Sequence, residues 1–302
     1  MPEAGGLAQT LLRIVGIIFP VLAVVAVGWL YGRCKRPDMT FANHLNLDVF
    51  APALVFWALA DQPLDVAAFS GLAIGGAAVI LGSGLLLLPL VLLIGINPRT
   101  FLPPMMFNNS GNMGLPLAIF AFGEAALQAA VVLFIIEMVL HFTVGLYILD
   151  HRTRLTRLFR MPIIIAAFAG LAVSIGGVSL PAPIANTLKL LGQVSIPLLM
   201  FSLGVRLLEV DFRDWGIGTL GALLCPLSGV AVVLLVRPWL DLNPMHSGLL
   251  LIFGALPPAV FNYILAEQYN QEPKKVASIV MLGNLGSVVA IPLALYFALP
   301  PG

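Results

Sequence analysis

Two short clusters of polar and helix-breaking residues interrupt apolar runs of this chain. Their residues are the strongest candidates for a functional site. The first, residues 108–116, contains three asparagines, two glycines and a proline, and the second begins with Pro257-Pro258. Proline removes a backbone donor and clashes with the preceding helical turn, so both runs are expected to be broken helices. Because Asn caps helices well and Pro is favoured in a first turn, Asn112 through Pro116, and likewise Pro257-Pro258, are predicted to begin second half-helices.

The chemistry expected at these half-helix starts is the binding of an anion. A helix N-terminus presents partial positive charge and free N–H groups, so it can hold an anion without a cationic side chain. No Lys or Arg lies near the centre of any apolar run. The candidate binding residues are Asn109, Ser110, Asn112, Pro116, Pro257, Pro258, Asn262 and Tyr263. The alternative is a pair of proline-kinked helices whose asparagines hydrogen-bond between helices.

Glu137 and His141 form a candidate coupling pair. Their i, i+4 spacing puts them on one helical face. Glu137 lies within an apolar run, where a carboxylate is costly and is functional by default. Two interpretations stay open: Glu137 couples anion movement to a proton or a sodium ion, or it is a structural carboxylate that is protonated or paired with His141. No third ligand lies nearby in the sequence, so a metal site is not favoured.

The composition excludes an ordinary soluble domain. Of the 302 residues, 60% are hydrophobic and 10% are charged, whereas soluble domains carry about a quarter charged residues. The net charge of +1 gives no reason to expect a nucleic-acid partner. The sequence has no His-Glu-x-x-His, Gly-x-Ser-x-Gly or paired-Asp motif, so we do not expect an enzyme, and nothing in it points to a cofactor.

Short polar stretches divide the chain into ten apolar runs. The length of each run is close to the roughly 20 residues that a helix needs to cross a bilayer. We therefore expect an all-α membrane protein with ten transmembrane spans. The runs fall near residues 11–32, 41–60, 66–94, 101–122, 126–149, 161–179, 184–205, 216–236, 246–266 and 276–298. The polar residues that open the second run, Asn43, His44, Asn46 and Asp48, are interpreted as interfacial, with Asp48 kept as a minor site candidate.

The basic residues predict the orientation of the spans. Twelve of the 15 Lys and Arg residues fall in the odd-numbered loops, which are therefore expected to face the cytoplasm. Both termini should then be non-cytoplasmic. The Arg-rich stretch 151–160 is expected to be a cytoplasmic linker between a first half, 1–150, and a second half, 151–302.

The two halves look like repeats of one another. The Pro-x-Leu-x-Phe spacing at Pro52 recurs at Pro197, and spans 4 and 5 register on spans 9 and 10 at an offset of 147 residues. That offset places Glu137 over Asn284, which adds Asn284 to the coupling candidates. Five spans per half is an odd number, so the second copy must be inverted, as is typical of secondary transporters. We expect spans 4 and 9 to cross at their broken centres.

The sequence resembles the auxin efflux carrier family, in its bacterial branch. The resemblance rests on Asn-Ser-Gly-Asn-Met-Gly-Leu-Pro at 109–116, on Ile-Pro and Ser-Leu-Gly within 196–204, and on Leu-Pro-Pro-Ala at 256–259 leading to Leu-Ala-Glu-Gln-Tyr at 265–269. It covers essentially the whole chain. The chain departs from the plant members in lacking their long loop between the halves, and from the similarly folded sodium symporters in having no acid at the centre of span 9.

The resemblance implies a fold like that of the bile acid sodium symporters: ten helices in two inverted five-helix repeats, with helices 4 and 9 crossing. It implies a scaffold of spans 1, 2, 6 and 7, a homodimer formed through that scaffold, and a mobile core of spans 3–5 and 8–10. The positions that it places at the crossing are Asn109, Asn112, Pro116, Pro257 and Pro258.

Plant members of the family export auxin, and bacterial members are linked to dicarboxylates such as malonate and malate. The implied function is an elevator-type secondary transporter of a small organic anion in the bacterial inner membrane, coupled to H⁺ or Na⁺. A sodium-coupled carrier of the bile acid type, or an anion receptor that does not move its ligand, remains the alternative.

Overall fold

The computed structural model describes residues 4–61, 65–151, 160–209 and 214–299. In these ranges the apolar runs fold into helices. A helix satisfies its own backbone polar groups, which a bilayer cannot do. The α-helices are α1 Ala4–Lys35, α2 Thr40–Leu45, α3 Ala51–Ala60, α4 Val66–Leu93, α5 Pro98–Met106, α6 Leu115–Phe122, α7 Leu127–Leu140, α8 Leu146–Leu149, α9 Pro162–Ile175, α10 Ala182–Arg206, α11 Trp215–Val236, α12 Pro244–Ala255, α13 Phe261–Gln268 and α14 Pro273–Ala298.

Six helical stretches in these ranges are long and apolar enough to cross a membrane. They are Ala8–Lys35, Val66–Leu93, Glu124–Leu149, Ala182–Arg206, Trp215–Trp239 and Pro273–Ala298. The chain is therefore a multi-pass membrane protein. The other four predicted runs contain shorter or interrupted helices, at 40–60, 98–122, 162–175 and 244–268. Of the predicted cytoplasmic linker, residues 152–159 lie outside the described ranges.

Within the described ranges, three π-helical turns interrupt the α-helical backbone. They span Asn46–Phe50 between α2 and α3, Ser110–Gly114 before α6, and His141–Gly145 between α7 and α8. A π turn inserts an extra residue into the helix and shifts the direction of the side chains that follow, and such turns are frequent at functional sites.

Close packing divides the helices into two sets. The scaffold group comprises α1, α2, α3, α9 and α10, and the core group comprises α4–α8 and α11–α14. Within the scaffold group, α1 packs so closely on α10 that a Cβ at Gly204 would lie 2.0 Å from the Val25 carbonyl oxygen. Within the core group, a Cβ at Gly229 of α11 would lie 2.0 Å from the Gly254 carbonyl oxygen of α12.

The same division holds for the other tight glycine contacts. At every described glycine where a Cβ would come within 3.0 Å of another atom, the nearest neighbour belongs to the same group or to the loop beside it. Gly170 of α9 and Gly192 of α10, for example, both approach α3. The two groups do touch, since α1 contacts α6 and α14, and α3 contacts α7. Those contacts between the groups are made without such glycine-mediated approach of the backbones.

Candidate functional site

Two backbone breaks pair with one another inside the core group. Helix α5 ends at Met106 and α12 ends at Ala255, and the chain after each is extended. Asn109 N–H donates to the Pro257 carbonyl at 2.7 Å, and Ala259 N–H donates to the Phe107 carbonyl at 3.0 Å. These bonds join the breaks as a short antiparallel bridge and satisfy backbone groups that neither helix can satisfy.

The helices resume at Ser110 and at Phe261. Pro116 lies in the first turn of α6, close to its predicted place, although Asn112 lies inside the π turn that precedes α6. The prediction that Pro257-Pro258 begins a half-helix is wrong. The bridge to the first break holds both prolines in an extended segment, and residue 256 before them adopts the extended conformation that a following proline favours.

Buried asparagine amides join the two backbone breaks, whose paired segments are called the crossing below. Asn109 Nδ2 donates to Asn284 Oδ1 at 2.8 Å, and Asn284 Nδ2 donates to the Pro258 carbonyl at 3.0 Å. Asn262 Nδ2 donates to the Phe107 carbonyl at 2.8 Å. Both Asn109 and Asn262 are only 3% exposed. The crossing is therefore a cross-linked polar layer within an apolar core.

A cavity of about 420 Å³ lies against this crossing, between the two groups of helices. The scaffold group contributes residues from α2, the first π turn, α9 and α10, and the core group contributes residues from the first break, α7 and the segment after the second break. The polar lining residues are Thr40, Asn43, His44, Asn46, Asn108, Asn109, Asn112, Glu137, His141, Ser202 and Arg206. Residues of all three π turns line it. Thr40 and His44 are exposed, so the cavity opens at the end of the molecule where α2 begins.

Glu137 and His141 form a buried pair on the core side of the cavity. His141 Nδ1 lies 3.1 Å from Glu137 Oε1, and Ser110 Oγ donates to Glu137 Oε2 at 3.4 Å. The His141 ring stacks on Phe107 with the centroids 4.1 Å apart and the planes 5° from parallel. Both carboxylate oxygens therefore have partners, and the imidazole is held in one orientation.

Several buried polar atoms in the cavity lining have no hydrogen-bond partner in the part of the protein that the structure describes. They are Nδ2 and Oδ1 of Asn46, Oδ1 of Asn108 and Nε2 of His141. Leaving a buried polar atom unpaired costs about 1 to 3 kcal/mol, and native structures hold few of them. These residues share one cavity, which is the candidate ligand-binding site.

Comparison with known proteins finds similarity to membrane transporters. A family model described as "Membrane transport protein" matches residues 151–295. A protein of Rhizobium meliloti named "Putative malonate transporter" is 22% identical over 94% of this chain and 95% of its own length. An uncharacterized transporter of Methanocaldococcus jannaschii is 23% identical over 92% of this chain and 96% of its own length. An uncharacterized transporter of Escherichia coli is 28% identical over 45% of this chain and 43% of its own.

The chain is thus similar to membrane transporters over nearly its whole length, and these matches support a transporter of the auxin efflux carrier family. Four predicted site residues line the cavity, namely Asn109, Asn112, Glu137 and His141. The other predicted residues surround the crossing without lining the cavity: Ser110, Pro116, Pro257, Pro258, Asn262, Tyr263 and Asn284. Tyr263 lies farther along α13, where its hydroxyl donates to Glu267 Oε1 at 3.0 Å.

The scaffold side of the carrier's cavity was not recognised from the sequence. Asn43, His44 and Asn46, interpreted as interfacial, line the cavity, whereas Asp48 is exposed and does not. Arg206, assigned to a loop, is the last residue of α10 and also lines it. One signal was available, because Asn43 and Asn46 share a helical face and Asn46 lies inside an apolar run.

Proposed function

We propose that this carrier is a secondary active transporter of a small organic anion, a carboxylate such as a dicarboxylate or an auxin-like acid, which binds at the crossing of the two broken helices. The observation that carries the proposal is the 420 Å³ cavity, whose lining includes buried polar atoms without partners in the described protein. Its volume falls within the roughly 300 to 1,000 Å³ of small-molecule sites.

The lining favours an anionic ligand. The helix that resumes at Ser110 runs to Phe122, and its first N–H groups lie beside Asn112 at the cavity wall. A helix N-terminus attracts negative charge. Arg206 adds positive charge at the same cavity, and His44 adds a further N–H donor. The name of the Rhizobium meliloti relative makes malonate a suitable first candidate.

The proposed architecture is ten membrane spans in two inverted five-helix repeats, residues 1–150 and 151–302. The six long helices and the four shorter or interrupted stretches together make ten. The 147-residue offset supports the repeat. Glu137 accepts a hydrogen bond from Ser110 of the first break. Asn284, the position equivalent to Glu137 at this offset, donates to the carbonyl of Pro258 in the second break.

The proposed transport mechanism is of the elevator type, with the core group moving against the scaffold group. Backbone contacts mediated by glycine join helices inside each group and not across the boundary. A boundary of that kind can slide without unpacking either body. Alternating access around a site near the midplane needs such a motion of two rigid units.

The coupling candidates are Glu137, His141 and Asn284, with H⁺ or Na⁺ as the coupled ion. Glu137 is 3% exposed and reaches the cavity, so its charge would act directly on a bound anion. We further propose that the carrier lies in a bacterial inner membrane, with both termini non-cytoplasmic, and forms a homodimer through the scaffold group.

Counterflow in proteoliposomes tests the proposed function. Vesicles loaded with unlabelled malonate should accumulate external labelled malonate transiently, and Asn112→Ala should weaken the exchange while Asn186→Ala, on an exposed part of α10, should not. Saturable binding without any flux would instead identify an anion receptor. Stimulation by a sodium gradient alone would favour the sodium-coupled alternative. Neither binding nor exchange of any mono- or dicarboxylate in a panel would contradict the proposal.

A further inference from the structure

We infer that Asn46, on the scaffold side of the cavity, is a substrate-binding residue that acts in only one of the two access states. The inference rests on the proposed transport function and adds to it a residue outside the core group. It concerns the state in which the cavity opens beside Thr40 and His44, which is the state that the structure shows.

The amide of Asn46 is fully buried and fully unpaired. Its exposure is 0%, and neither Nδ2 nor Oδ1 has a hydrogen-bond partner in the described protein. Neighbouring Asn43 differs, because its Oδ1 accepts a hydrogen bond of 2.7 Å from Ser202 Oγ. The two asparagines share a helical face and a cavity, yet only the Asn43 amide accepts a hydrogen bond within the scaffold group.

An unpaired buried amide destabilises the ligand-free protein. A leucine, which has the same number and branching of side-chain heavy atoms, would remove that cost without breaking a protein hydrogen bond. The residue is therefore poorly explained by stability, and a ligand that binds both of its amide atoms accounts for it. Asn46 is also the first residue of a π turn, which directs it differently from the side chains of a continuous helix.

The core group also lines the cavity, and two of its lining residues hold buried unpaired atoms, Asn108 Oδ1 and His141 Nε2. A ligand that satisfies all three residues touches both groups at once. When the core group moves against the scaffold group, Asn108 and His141 travel with the substrate and Asn46 stays behind. The Asn46 contact therefore exists at one membrane face only.

The test compares affinity at the two membrane faces. Malonate uptake is measured in right-side-out and in inside-out membrane vesicles carrying the wild type, Asn46→Leu or Asn46→Ala. Loss of a hydrogen bond to a charged ligand should raise the KM about tenfold at the face where the cavity opens in this state. The KM at the other face should change less than about twofold.

A stability measurement separates binding from folding. Thermal unfolding of the ligand-free protein in detergent should be unchanged or shifted upward in Asn46→Leu, while the upward shift that malonate produces in the wild type should be smaller. Asn186→Leu, at an exposed position of α10, is the matched control and should leave both quantities unaltered.

Two results would overturn the inference. One is an unchanged KM at both faces, and the other is an equal increase at both faces together with a lower unfolding temperature, which would mark Asn46 as structural. Both are read against a wild type that transports malonate. A wild type that exchanges no carboxylate at all would contradict the proposed function instead.

Discussion

Asn109 and Asn284, which are 175 positions apart in the chain, share a buried hydrogen bond of 2.8 Å between Nδ2 and Oδ1. Asn284 also donates to the carbonyls of Pro258 and Val280. The side chain of one helix thus joins both backbone breaks. This link holds the two breaks together beside the cavity.

Removing either amide should loosen the crossing. Asn109→Ala and Asn284→Ala should each lower the free energy of unfolding by about 1 to 3 kcal/mol, because each leaves a buried polar partner unsatisfied. The double variant should be less destabilised than the sum of the two, which a double-mutant cycle in detergent measures. Asn186→Ala is the exposed control. Strict additivity would show that the hydrogen bond does not form.

Glu137→Gln should keep substrate exchange and lose its response to a proton gradient. Glutamine can still accept from Ser110 and contact His141, so the pair geometry is retained, but its charge no longer changes. Counterflow and gradient-driven uptake, measured side by side, separate the two functions. Glu124→Gln alters an exposed acid and should behave as the wild type. If Glu137→Gln still follows the gradient, the coupling site lies elsewhere or does not exist.

Cross-linking should distinguish motion between the groups from motion within them. Asp61 follows α3 of the scaffold group, and Glu124 precedes α7 of the core group. Both residues line one small cavity between the two groups. Cysteines at both positions, joined by a bifunctional thiol reagent, should stop transport. The background is a Cys34→Ser, Cys225→Ala protein, since these are the free cysteines of the described chain.

The matched pair joins two elements inside the core group. Thr100 Oγ1 donates to Glu272 Oε2 at 2.6 Å, so cysteines at those two positions should react with the same reagent and leave transport active. Equal activity of both cross-linked proteins would refute the elevator mechanism. Reversal of the Asp61–Glu124 cross-link should restore uptake.

The contacts of Glu272 predict a pH-dependent contribution to stability. Its hydrogen bonds with Lys275 and Thr100 hold the pKa of the carboxyl below its usual value of 4.5. A pKa depressed in the folded state stabilises the protein above about pH 4.5, and the contribution disappears as the pH falls through the folded-state pKa. Glu272 precedes α14, outside the spans.

Glu272→Gln should therefore lower the unfolding temperature near neutral pH, and the difference from the wild type should shrink below about pH 4.5. Thermal unfolding in detergent between about pH 3 and 7 measures it. Thr100→Val removes one of the two contacts and should show a smaller effect of the same sign. A difference that does not vary with pH would mean that the carboxylate contributes only through packing.

The hydropathy pattern and the positions of prolines and asparagines were enough to predict several features of the fold from the sequence alone. Runs of apolar residues predicted a multi-pass helical membrane protein, because only helices and closed barrels satisfy the backbone in lipid. The motif at 109–116 and the prolines at 257–258 located the two breaks, because proline cannot continue a helix without losing a hydrogen bond. The same motifs carry the resemblance to the auxin efflux carrier family, which the comparisons support.

Other features depended on the tertiary structure. The starts of the resumed helices were misplaced at Pro257-Pro258, since the hydrogen bonds that keep these residues extended come from a segment about 150 positions away. Local propensity contains no information about such a partner. The amide of Asn109 likewise bonds to Asn284, which is 175 positions away.

The residues of the scaffold group that line the cavity were also not predictable from local sequence. Asn46 looks like an interfacial residue in the sequence, because polar residues are common where a helix meets water. Its burial, its unpaired amide and its place at the same cavity as Asn108 and His141 follow from a π turn that packs against α3, α9 and α10. A side chain's partners are set by which helices meet, and only the assembled fold decides that.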